Sequence, residues 1–251
     1  MDWLNMLRQG LPHLNHLLGR ITVPSCCVFC SSVIYSRLAL CNSCRADLPW
    51  HEPGCRRCGL KLPVGISNVL TECLQCQEHP PPFYSCQTVF EYRSPVRELL
   101  AHFKFNGDLS SGTVFGRLLA EKFASYYRES ERPQLLIPVP LHAKRIRERG
   151  FNQATELARL ITHRTGVRCT FSEFERRRHT RAQHTLNARQ RRANLADAFA
   201  LKKPFAEGMP AHVAIIDDVV TTGTTVGVMA ELVTSLGAKR VDIWAVARAE
   251  K

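Results

Sequence analysis

The sequence predicts an α/β protein: a parallel sheet wrapped by helices, preceded by a small cysteine-rich module. Three observations carry that prediction. From residue 131 onward, short apolar runs alternate with stretches of helical apolar period. In the first third of the chain, eight of the 11 cysteines fall into four C-x-x-C pairs. Finally, the run from Val213 to Thr225 joins four apolar residues, two aspartates and a Thr/Gly loop to the start of a helical pattern.

The elements follow in order. Residues 1–20 place Trp3, Leu7, Leu11, Leu14 and Leu18 on one helical stripe, interrupted by Pro12. Residues 21–79 form the cysteine module, and the prolines at 80–82 read as a stiff linker. Residues 83–130 carry helical patterns at Val96–Phe103 and Phe115–Tyr127, expected to cap the edge or top of the sheet. The α/β core then occupies 131–251. Leu135–Val139 reads as a strand, Phe151–Arg164 as a helix stopped by Gly166, and Val167–Phe174 as a second strand. His212–Asp217 is apolar without interruption, as for a strand buried on both faces. A helix at Thr224–Leu236 and a strand at Val241–Ala247 complete the pattern.

The cysteine pairs are Cys27/Cys30, Cys41/Cys44, Cys55/Cys58 and Cys73/Cys76, with intervening gaps of 10, 10 and 14 residues. Two thiolates at a tight turn grip one ion, and two such turns complete a tetrahedral site. This spacing favours structural zinc over a disulfide framework, since nothing in the chain indicates secretion. Four thiolates close such a site and leave no position for substrate. Successive and alternate pairing of the turns both remain open, and Cys26 could stand in for Cys27.

The 34 Lys and Arg against 22 Asp and Glu give a net charge of +12, and that surplus is localised. Between Lys144 and Arg192 lie 14 basic residues and four acidic ones, and 13 of the 14 are arginine. Guanidinium groups match phosphate oxygens, so a polyphosphate ligand, a nucleic acid or both are the expected partners. Phe151, Phe171 and Phe174 are interspersed in this stretch, and Phe199 follows it. Aromatic rings among cations suit single strands, although each ring taken alone reads more readily as core. With 45% apolar residues the chain can bury a core, yet no apolar stretch reaches membrane-spanning length. A cytoplasmic protein without a cleaved signal is therefore expected.

Ligands of open α/β sheets sit at the carboxyl ends of the strands. A helix N-terminus offers free N–H groups, so a phosphate belongs against Thr221, Thr222, Gly223, Thr224 and Thr225. Asp217 and Asp218 are suited to accept hydrogen bonds from sugar hydroxyls, or to neighbour a Mg²⁺ held by pyrophosphate. A phosphorylated sugar fits this segment better than a free phosphate.

Val213–Thr225 resembles the phosphoribosyl pyrophosphate (PRPP) signature of type I phosphoribosyltransferases. The wider pattern resembles the ComF family, also called GntX or ComFC, of competence and DNA-utilisation proteins. Further matches are Phe103-Lys104-Phe105-Asn106-Gly107, Pro138-Val139-Pro140-Leu141, Arg145 and Arg149-Gly150-Phe151-Asn152-Gln153. Arg176, Arg178, Thr180, Gln183, Leu186, Arg191, Asn194, Phe199 and the cysteine pairs also fit. The resemblance implies a phosphoribosyltransferase fold behind a double zinc ribbon. It gives Asp217 and Asp218 to the ribose hydroxyls and Thr221–Thr225 to the 5-phosphate. The loop around Arg145 to Gly150, with Arg149, would approach the pyrophosphate. The stretch holding Arg176, Arg178, Gln183, Arg191 and Asn194 would be a mobile loop closing over the transition state. Mg²⁺ with PRPP, single-stranded DNA and a DNA-uptake helicase are the implied cofactor and partners. Two classes of function stay open: transfer of ribose 5-phosphate, or DNA handling on a scaffold that only senses PRPP.

Overall fold

In the computed structural model the described residues are 24–62, 71–178 and 198–250. The helical stripe expected over 1–20 lies outside them. The chain forms two compact units, Met1–Asp47 and Leu48–Lys251.

In the first unit, β1 (Ser25–Cys26) and β2 (Val33–Ile34) make a short antiparallel ribbon, followed by helix α1 (Asn42–Asp47). The turn between the strands is closed by Cys27 N–H to Ser32 O at 2.9 Å and Ser31 N–H to Cys27 O at 2.8 Å.

In the second unit, helix α2 (Leu74–Glu78) closes the second cysteine turn and precedes strand β3 (Ser85–Glu91). Helices α3 (Val96–Phe105) and α4 (Leu109–Tyr126) follow, then β4 (Leu135–Pro138), α5 (Ala143–Arg149) and α6 (Gln153–Thr165). The chain continues through β5 (Arg168–Cys169), β6 (Phe174–Arg176) and β7 (Phe199–Leu201). It ends with β8 (His212–Val220), α7 (Thr224–Ser235) and β9 (Arg240–Arg248). The main sheet has the order β3-β9-β8-β4-β5, and every neighbouring pair is parallel. A parallel sheet wrapped by helices is thus what forms.

Alternation along the central strands separates two faces. Ile137, Val213, Ile215 and Ile243 pack with Val226, Met229 and Val233 of α7 and with Phe174 and Phe199 of the β6–β7 ribbon. On the other face α4 packs against β3 and β9, and α6 against β4 and β8. There the Phe123 ring lies 4.9 Å from that of Trp244. Each fully buried Ile, Leu or Phe in these layers contributes about 1.5–3 kcal/mol relative to exposure. Gly112 on α4 lets α3 close in, since a Cβ there would meet the Phe103 ring at 2.3 Å.

Three segments differ from their sequence patterns. Strand β8 runs on through both aspartates to Val220, because pairing with β9 continues to Val220↔Arg248. Of Val167–Phe174, only Arg168–Cys169 joins the sheet. The Glu173 carboxylate accepts from the N–H groups of Phe171 and Ser172, both at 2.8 Å, and turns the chain into β6, which pairs with β7 instead. Ser85–Glu91 is an edge strand in a region where the sequence pattern places helices at Val96–Phe103 and Phe115–Tyr127 and no strand.

Candidate functional site

The eight paired cysteines gather into two clusters: Cys27, Cys30, Cys41 and Cys44, and then Cys55, Cys58, Cys73 and Cys76. Successive pairing of the turns is therefore the arrangement, and Cys26 stays outside it. All sulfurs within a cluster lie within 4.8 Å of one another. Cys30 and Cys41 are 3.8 Å apart, as are Cys58 and Cys73. A tetrahedron with Zn–S bonds of about 2.3 Å has edges of about 3.8 Å, whereas a disulfide needs about 2.05 Å. The Cys41 amide donates to Cys27 Sγ at 3.4 Å and the Cys73 amide to Cys55 Sγ at 3.3 Å, orienting both sulfurs. The donor sets fit structural zinc.

The second site lies at the carboxyl end of β8. Asp218 Oδ1 pairs with Lys104 Nζ at 3.0 Å, while Asp217 Oδ1 accepts the Asp218 N–H at 2.8 Å. Burial, and then the charge of Asp218, push the Asp217 carboxyl up to about 7. The charges of Lys104 and Arg176 pull the other way without cancelling that rise. Two acids held this close in a partly dry pocket disfavour joint ionisation, so the site attracts cations and hydrogen-bond donors.

Cations ring the pair. Arg149 donates to Gln153 Oε1 at 3.1 Å, and its guanidinium lies 4.9 Å over the Phe105 ring. Burial, then the charge of Arg145, hold both Arg149 and Arg176 below the ordinary arginine value. Asp218 and Asp217 oppose that fall at Arg149 and Arg176 respectively. Arg145 and Arg149 ride on helix α5, where a loop is the sequence expectation. His142 caps that helix by accepting the Lys144 N–H at 3.2 Å, and Gly150 ends it in the left-handed region at φ 83°. Arg176 closes β6 and stacks on Phe199 at 5.3 Å. Arg178 is also among the described residues, whereas Gln183, Arg191 and Asn194 lie outside them.

Between β8 and α7, Thr221 and Thr222 are exposed and Gly223 takes φ 77°. Gly223 is the N-cap of α7 and supplies no side-chain acceptor to its first turn. The Thr222 and Thr224 hydroxyls are 2.8 Å apart. The mouth of the helix thus presents hydroxyls and amides, as the Thr/Gly pattern implies.

Of the four phenylalanines, Phe174 and Phe199 are buried in the core, Phe151 meets Phe103 at 5.3 Å, and Phe171 is 59% exposed beneath Arg159. Two contributors have no assigned role in the sequence reading. Lys104 stands within a recognised motif, but only the fold shows that it reaches Asp218. Arg248 leaves no local signal at all. Among the described residues, no helix is long and apolar enough to cross a membrane.

Residues 18–77 match a double zinc ribbon domain model. Over 231 residues the chain is 33% identical to the DNA utilization protein YhgH of Salmonella typhi, spanning 91% of this chain and 99% of that one. It is 30% identical over 226 residues to competence protein F of Haemophilus influenzae, spanning 89% and 96%. A purine phosphoribosyltransferase from Pyrococcus horikoshii aligns with 53% of this chain and 70% of its own, at a TM-score of 0.33 and 21% identity, a slight likeness.

Proposed function

This chain belongs to the family of the DNA utilization protein YhgH and competence protein F, and from that premise we propose that it binds PRPP with Mg²⁺ and transfers ribose 5-phosphate to an acceptor. The observation that supports this reading is the acid pair near the end of β8, facing Lys104, Arg149 and Arg176, ahead of a helix mouth whose N-cap glycine offers no side-chain acceptor and whose Thr224 N–H meets the Thr222 hydroxyl at 3.4 Å. Asp217 and Asp218 accept from the ribose hydroxyls. The amides and hydroxyls of Thr221–Thr225 hold the 5-phosphate. Arg145 and Arg149, with Arg176 approaching from β6, neutralise the pyrophosphate. Mg²⁺ arriving with PRPP supplies further neutralisation of the phosphate oxygens.

In the reaction the bond from ribose C1 to the pyrophosphate oxygen breaks, and its electron pair leaves with pyrophosphate. The acceptor nucleophile bonds to C1 and gives up its proton to the departing pyrophosphate. The arginines stabilise the charge that develops on the departing oxygen, and the acids fix the sugar in line.

The test is a thermal melt with and without Mg²⁺ and PRPP. Ligand at about 100 times its Kd stabilises by about 2.7 kcal/mol. In a chain of this length that raises Tm by about 5–10 °C. The variant with Asp217→Ala and Asp218→Ala loses the rise. No rise in the parent protein at millimolar ligand removes the PRPP reading.

A second reading, binding of single-stranded DNA without transfer, is favoured by the arginine surplus between Lys144 and Arg192 and by exposed Phe105 and Phe171, each under an arginine. Its signature is an affinity for single strands that falls steeply with salt, with a log–log slope of several units. A flat response refutes it.

A further inference from the structure

The second cysteine cluster is joined to the Thr221–Thr225 loop by one side chain. Arg248, the last residue of β9, is 3% exposed. Its Nε donates to Cys58 O at 2.8 Å. Its Nη1 donates to Val220 O at 2.9 Å, to Ala249 O at 2.8 Å and to Thr221 O. One guanidinium therefore holds a carbonyl of the metal-binding turn, the last carbonyl of β8 and the first of the loop. The Cys86 amide donates to Arg56 O at 3.0 Å, and a Cβ on Gly59 would lie 3.2 Å from Cys86 O and 3.7 Å from Arg248 Cδ. Cys58 and Cys76 line one wall of a cleft of about 420 Å³ whose other wall includes Thr222, Gly223 and Thr224, with Arg248 also lining it.

The chemistry gives this link a direction. Four thiolates around Zn²⁺ carry two net negative charges beside a buried guanidinium, and the metal fixes the turn whose carbonyl that guanidinium grips. Without metal the turn relaxes, and Arg248 loses a fixed acceptor on the side away from the loop.

We propose that Arg248 is a positioning residue that makes the shape of the Thr221–Thr225 loop depend on metal in the second cysteine cluster. The coupling is reciprocal in affinity: metal in the cluster tightens binding of a ligand to the loop, and that ligand tightens metal binding by the same factor, read below as slower metal release. This ligand half of the inference rests on the PRPP reading; the strut itself does not.

The experiment measures amide exchange across residues 219–228 in the zinc-loaded full chain. Cys73→Ser, which weakens the cluster while leaving Cys58 and its carbonyl in the chain, speeds exchange in this segment about tenfold, and Arg248→Met does the same with both metals retained. Arg248→Lys, which keeps the charge and one donor group, restores part of the protection. The double variant shows no further increase, since both changes cut the same link. Additive effects, or a segment indifferent to Cys73→Ser, overturn the proposal.

Metal transfer to a chromogenic chelator gives a readout independent of Cys73. Arg248→Met releases one of its two zinc ions about tenfold faster than the parent, and equal release from both proteins overturns the strut. In the parent, PRPP with Mg²⁺ slows release of one ion only, and Arg248→Met loses that protection. Protection that persists in Arg248→Met overturns the ligand coupling. Coupled exchange and metal release in a protein that PRPP does not protect sustain the strut and sink the PRPP reading.

Discussion

Replacing Asp217 by Asn should make the ligand-free protein more stable at pH 8. The Asp217 carboxyl is pushed from an ordinary 3.8 up to about 7, first by burial and then by Asp218. Each unit of displacement corresponds to about 1.4 kcal/mol between folded and unfolded states. The displacement of about three units thus sets an upper bound of about 4 kcal/mol on the penalty of carrying this charge in the fold. The sign follows from proton binding. Below pH 4 both states are protonated and the penalty is absent. Between pH 4 and 7 the unfolded chain releases its proton while the folded chain keeps it, so stability falls as pH rises, and above 7 the loss is complete. Asparagine keeps an oxygen to accept the Asp218 N–H and has no charge to bury. In a chain of this length the gain appears as a Tm rise on the order of 5–10 °C at pH 8, shrinking to nothing near pH 4. Thermal melts of parent and variant across that pH range read it directly, and in the same variant the PRPP-induced rise should disappear. A variant no more stable than the parent at pH 8, or one whose advantage persists unchanged at pH 4, would refute the argument that this acid is held at a cost.

The other expectations are simpler. At pH 5, where the folded chain still keeps the Asp217 proton, Asp218→Asn should destabilise by about 1–3 kcal/mol, because Lys104 loses the charge it pairs with at 3.0 Å; a gain in Tm at that pH would contradict the pairing. Asp242 is fully buried and accepts from Ser85 Oγ and Tyr127 Oη, both at 2.8 Å, and pairs with His212 and Arg240, so Asp242→Ala should cost about 3–5 kcal/mol in denaturant melts. Burial raises that carboxyl, but the hydrogen bonds from His212, Tyr127 and Ser85 and the Arg240 charge together hold it below its ordinary value. Its contribution is therefore present above pH 4 and lost as pH falls further, and the two proteins should converge in acid. Elemental analysis after anaerobic purification should find about two zinc ions per chain, and fewer than one would refute the cluster assignment.

The elements that were legible in the sequence are those whose cause is local. Four C-x-x-C turns state their own chemistry, because the ligands of each half-site are three residues apart; the sequence left open which turns pair and whether Cys26 stands in for Cys27. The strand, acid pair and Thr/Gly loop are likewise contiguous, so the helix mouth and its neighbouring carboxylates could be placed from thirteen residues. The edge strand Ser85–Glu91 was not legible, since its membership depends on pairing with β9, more than 150 residues away. Lys104 and Arg248 were hidden for the same reason. One meets Asp218 across the fold from α3, and the other ties Cys58 to the loop from the last strand. These two long-range contacts give opposite kinds of support. Lys104 compensates a charge that the pocket would otherwise disfavour, and Arg248 uses its charge to hold main-chain carbonyls in place. Burying acids at the end of a strand lowers stability, and a rigid scaffold must absorb that loss. In the coupling proposed above, the second cysteine cluster is part of that scaffold, which would give a closed four-thiolate site a reason to sit beside the Thr221–Thr225 loop.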